Sequence, residues 1–165
     1  MPRDGTAARS AIMNGALALL RERGLPGFSV EGVASRADVA KGLVLYHYRS
    51  RAALVELCAG EIDRERANRL GAAATDRPGI GGIDALWDEL VKQHEDGTAR
   101  AWLSLAAAGA VRTPADEDLV AQARRALVDG CAAALAAGGD STTVREAYEA
   151  LALALVRVDE SGDRS

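Results

Sequence analysis

The chain reads as an all-α protein, and three observations predict it. Alanine, the strongest helix former, supplies 35 of the 165 residues. Apolar residues make up 48% of the chain, enough for a core, and they recur at helical rather than alternating spacing. Glycine and proline cluster at Leu25-Pro26-Gly27, in the linker TDRPGIGG (75–82), at Thr113-Pro114 and in the turn AAGGD (136–140), so they divide the chain into helix-sized pieces.

The first helix is expected over 6–23, with Thr6 as its cap and Ile12, Ala16, Leu19 and Leu20 as one stripe. Gly24 stops it. Ser29 caps a second helix reaching about Arg36, with Val30, Val33 and Ala34 inward. A third short helix follows over roughly 40–46. Ser50 caps a long fourth helix, which carries Leu54, Leu57, Cys58 and Ile62 before fraying into ERANRL and an alanine run. Ile83, Leu86, Trp87, Leu90, Val91 and His94 mark a strongly amphipathic fifth helix. Thr98 caps a sixth, with Trp102, Leu103, Ala106 and Ala110. Two longer helices are expected at about 115–137 and 141–158. In the last, Val144, Ala147, Tyr148, Leu151, Leu155 and Val158 form one stripe, which Leu153 and Val156 widen beyond what one neighbour covers. The polar end, 161–165, reads as a disordered tail.

Net charge is −4, which argues against a general coat for nucleic acid. The average hides an asymmetry: residues 1–51 carry +4 and the other 114 carry −8. One end is therefore suited to a polyanion. With no apolar run of 18 residues and no signal-peptide core in MPRDGTAARS, a cytoplasmic location is expected, with no membrane contact. Cys58 and Cys131 then read as buried free thiols. The chain has two histidines and no G-x-S-x-G, phosphate-loop or H-E-x-x-H pattern, so neither an enzyme nor a metal or cofactor site is expected.

Three short helices before a long one, with a tight turn between the second and third, is the pattern of a helix-turn-helix. Ala34 and Ala37 let helices cross closely, and Val39 plugs the turn into the core. The stretch from Arg9 to Leu54 resembles the DNA-binding domain of the TetR family of transcriptional regulators. The matching residues include Arg9, Ile12, Gly24, Phe28-Ser29, Val33-Ala34, Ala37, Val39, Lys41-Gly42, Ser50-Arg51 and Leu54. Asp38 stands where a glycine is usual, Leu43 where a small hydroxyl residue is frequent, Leu45 where an aromatic is common, and Arg49 where proline or glycine is frequent.

The resemblance implies a DNA-binding domain over 1–50 and a helical regulatory and dimerisation domain over 51–160. The third helix enters the major groove of double-stranded DNA, with Lys41 and Gly42 at its start. Tyr46 and His47 meet phosphates, as do Ser50 and Arg51 at the front of the fourth helix. Arg9 and Ser29 complete the implied contacts, and Leu43 is placed to touch a thymine methyl. In the body, Leu57, Cys58, Trp87, His94 and Trp102 are the candidates for contact with a small-molecule effector. The function expected is a ligand-released repressor that binds a palindromic operator as a homodimer. The alternative is a helical small-molecule-binding or protein-interaction module that has lost DNA binding.

Overall fold

The computed structural model describes residues 5–76, 80–111 and 119–162. These residues form α1 (Gly5–Arg23), α2 (Val30–Ala37), α3 (Lys41–Tyr48), α4 (Arg51–Asp76), α5 (Ile80–Glu95), α6 (Thr98–Ala107), α7 (Leu119–Ala136) and α8 (Ser141–Gly162), and among them there is no strand. The fold is all-α, as expected. No described helix is long and apolar enough to cross a membrane. The expected break at Thr113-Pro114, the centre of the 75–82 linker and residues 163–165 of the tail lie outside the described residues. The polar stretch from Asp159 begins within α8.

The chain divides into two compact units, Met1–Glu65 with Arg100–Arg112, and Arg66–Ala99 with Thr113–Ser165. In the first, the predicted α1 stripe is buried together with Phe28, Val33, Val44, Leu54 and Ile62. Gly15 sits where α1 crosses α2: a Cβ there would lie 3.3 Å from the Cβ of Arg36 and 3.4 Å from the carbonyl oxygen of Val33. That crossing depends on a glycine as well as on Ala34 and Ala37.

Gly24 ends α1 with φ +64°, its N–H donating to Leu20 O at 2.8 Å. Ser29 caps α2 as expected, accepting from the Gly32 N–H at 3.0 Å. Asp38 then takes the left-handed conformation, φ 53° and ψ 51°. Its N–H donates to Ser35 O, and the Val39 N–H donates to Ala34 O at 3.0 Å. That pair of bonds is the glycine-type helix stop, so the turn keeps its shape although aspartate occupies it. Val39 packs against the core.

In the second unit, Ile83, Trp87 and Leu90 of α5 pack with Cys131 and Leu135 of α7 and Tyr148 and Ala152 of α8. The Trp87 and Tyr148 rings lie 5.6 Å apart, and the Tyr148 hydroxyl donates to Ile83 O at 3.1 Å. Burial pushes that phenol up to about 12.

Three details differ from the sequence reading. The ERANRL stretch does not fray, because its arginines are tied down: Arg66 pairs with Asp129 at 2.7 Å, and Arg69 pairs with Glu89 at 2.6 Å and Asp96 at 2.7 Å. Thr98 does not cap α6. The Asp96 carboxylate accepts from the Thr98 N–H at 2.8 Å, and Thr98 itself is buried. On α5 the fully buried polar residue is Gln93, while His94 is half-buried.

Candidate DNA-recognition surface

α3 is anchored by two residues one turn apart, Val44 and Tyr48, which are both buried. The Tyr48 hydroxyl donates to Arg9 O at 2.9 Å, and the Arg9 guanidinium stands 5.7 Å from the Tyr48 ring centre. Tyr48 is thus a core residue that ties the end of α3 to α1. Anchoring at these positions leaves Lys41, Gly42, Leu45 and Tyr46 exposed.

Apart from its chain neighbours and the backbone of its own helix, nothing lies within 4 Å of where a Cβ on Gly42 would stand. A flat backbone patch of this kind admits the close approach of another surface. Tyr46 is 79% exposed, with its ring edge-on to His47 at 5.3 Å. A Cβ on Gly5 would lie 4.0 Å from Cε1 of His47, so the start of α1 borders the end of α3. Leu43 is half-buried, and Leu45 is the more exposed of the two leucines.

The charged residues are less free than a reading of charge alone implies. Lys41 forms an ion pair with Glu31 of α2, and its hydrogen bond holds the Glu31 carboxyl below the usual range. The Arg51 guanidinium turns back toward the α1–α2 loop. Its Nε donates to Phe28 O at 3.2 Å and its Nη2 to Leu25 O at 3.3 Å, with the Phe28 ring centre 5.6 Å away. Ser50 uses its hydroxyl oxygen to accept from the Ala53 N–H at 3.1 Å and caps α4. Ser29 is likewise occupied as the cap of α2. The sequence reading missed Glu31; its signal was a carboxylate on the second helix of a segment expected to face an anion.

The five residues expected to meet an effector are divided between the units. In the first, Cys58 is fully buried, with its thiol 3.7 Å from Met13 Sδ, and burial raises its pKa to about 12. Trp102 is buried with its indole N–H donating to Asp63 at 2.9 Å, whereas Leu57 is 48% exposed. In the second, Trp87 belongs to the core and His94 is half-buried. The second unit also has an open cleft of about 390 Å³, lined by Arg69, Ala72, Ala85, Asp88, Glu89 and Lys92 among others, and none of the five lines it.

A short exposed helix set by a tight turn on a partner helix, itself packed on α1, defines a helix-turn-helix head. Residues 12–58 match the family model described as bacterial regulatory proteins, tetR family. A TetR-family transcriptional regulator from Streptomyces coelicolor is 25% identical, with a TM-score of 0.61 over 92% of this chain and 99% of that one. The multidrug binding protein EbrR, solved with imidazole, is 23% identical, with a TM-score of 0.62 over 87% of this chain and 88% of the other. A TetR-like transcriptional regulator from Rhodococcus sp. RHA1 is 16% identical, with a TM-score of 0.59 over 93% and 96% of the two chains. No curated protein matches at the sequence level. The N-terminal segment therefore matches the TetR family model, and the whole chain is similar in fold to TetR-family transcriptional regulators of known structure.

Proposed function

We propose that this chain is a cytoplasmic, ligand-released repressor that binds a palindromic operator as a homodimer. The observation that carries the reading is the outer side of α3, where Lys41, Gly42 and Tyr46 are exposed and the backbone at Gly42 is unobstructed. A helix presented in this way fits the major groove, and the flanking hydroxyl, imidazole and cationic groups are hydrogen-bond donors for phosphate oxygens.

In this reading residues 1–50 bind DNA and 51–160 sense the effector and dimerise. Leu151 of α8 supports the dimer: it is 56% exposed, and a second copy packed on that side of α8 would cover it. Cys58, Trp87 and Trp102 are core residues, so an effector reaching any of them must open packed side chains. An effector that does so changes the body on which the heads are carried. By linkage, DNA and effector then weaken each other's binding, with a coupling of about 1–3 kcal/mol.

The test is binding of labelled duplex across a salt series. Lys41→Ala should weaken binding to specific and random duplexes alike and lower the salt slope by about one unit per head. An unchanged slope removes Lys41 as a phosphate contact. A chain ending at Gly138 lacks α8 and should be monomeric by light scattering; a dimer would move the interface elsewhere.

A further inference from the structure

We propose that Arg49 grips a DNA phosphate, and that the turn between α3 and α4 holds a strained backbone to keep an arginine there. The inference rests on the reading of α3 as the groove-entering helix.

Arg49 has φ 62° and ψ −45°. Its own N–H donates to Leu45 O at 2.7 Å, and the next N–H, from Ser50, donates to Tyr48 O at 2.6 Å. The second bond closes a three-residue turn whose central φ is positive. This form is rare and strained for any residue with a Cβ, and glycine relieves it. Strain of this kind persists where the side chain does something that glycine cannot.

Packing gives the side chain no such task. Arg49 is exposed, and its guanidinium has no ion pair, hydrogen bond or ring contact among the described residues. Its neighbours in charge are all engaged. Arg21 pairs with Glu65, Arg23 and Arg36 with Glu22, and Lys41 with Glu31. Arg9 lies over Tyr48, and Arg51 is turned to the loop carbonyls. Among the described Lys and Arg residues up to position 51, Arg49 is the one with neither an ion pair, a side-chain hydrogen bond nor a ring contact; Arg9 keeps its N–H donors but is placed over Tyr48. It lies next to Tyr46, His47 and Ser50, on the rim of the exposed helix. A planar fork with five N–H donors suits a phosphate held between two oxygens. Arg51, which stands at a position matching the family pattern, serves the fold, and Arg49 supplies the free cation.

The experiment compares the full-length wild type with Arg49→Gly and Arg49→Gln, each melted thermally and titrated with a labelled duplex from about 50 to 200 mM salt. Both variants should lose about one unit of salt slope per head, so that the wild-type advantage changes roughly 3-fold per head across that range. Arg49→Gly should also melt a few degrees above wild type, while Arg49→Gln should melt with it. Wild-type affinity and slope in both variants overturn the phosphate role. A glycine variant that melts lower than wild type overturns the strain. A wild-type chain without affinity for any duplex overturns the reading of the surface itself, and this inference with it.

Discussion

Replacing Arg51 with lysine separates a residue that staples the fold from one that holds DNA. The guanidinium donates to the carbonyls of Phe28 at 3.2 Å and Leu25 at 3.3 Å and lies 5.6 Å from the Phe28 ring centre. Both bonds are long and partly solvated, so each contributes about 0.5 kcal/mol, near the low end for a net hydrogen bond. An exposed cation–π contact adds about 0.5–1 kcal/mol. Together they amount to about 1.5–2 kcal/mol, or a fall in Tm of about 3–8 °C for a chain of this size. Lysine keeps the charge but not the fork that spans two carbonyls, so Arg51→Lys should lose most of what Arg51→Ala loses. Thermal melting followed by circular dichroism measures both. If both variants melt with the wild type, Arg51 does not hold the loop. A lysine variant that melts lower yet keeps the wild-type salt slope for duplex binding assigns Arg51 to the fold.

Further perturbations address other parts of the account. Asp38 sits at φ 53°, so Asp38→Ala should be less stable than Asp38→Gly by about 1 kcal/mol in urea unfolding; equal midpoints contradict a left-handed residue 38. Glu31→Gln releases Lys41 from its ion pair and should tighten duplex binding at low salt; unchanged affinity would show that Glu31 does not compete with phosphate. The Asp140 carboxyl is held below its usual range by the Thr143 N–H at 2.8 Å. Its stabilising effect is therefore complete above the unfolded value of about 3.9 and is lost as pH falls through the lower folded value. Asp140→Asn should flatten that acid limb of the stability curve, and an unaltered limb would remove the cap. Cys58, with its thiol raised to about 12 by burial, should resist a disulfide reagent until the chain unfolds; rapid labelling of the folded chain at Cys58 contradicts its burial.

Much of the fold was legible because it follows from local rules. Ile12, Ala16, Leu19 and Leu20 mark the buried side of α1 through their spacing alone, and Ser29 and Gly24 mark helix ends through chemistry confined to one turn. What stayed hidden depends on partners distant in sequence. Nothing near Arg66 announces Asp129, 63 positions away, and so a polar stretch that reads as fraying is pinned helix. The site was half legible for the same reason. Gly42 and Tyr46 are exposed because Val44 and Tyr48 are the anchors, a pattern contained within eight residues. The commitment of Arg51 to the loop, and the freedom of Arg49, depend on where the carbonyls of Leu25 and Phe28 come to rest.

The most direct test is selection of bound duplexes from a random-sequence pool by the purified full-length protein at low ionic strength with no small molecule added. The account predicts enrichment of an inverted repeat with a fixed spacing, its half-sites about one helical turn or a multiple apart. A pool that shows no enrichment after repeated rounds contradicts it.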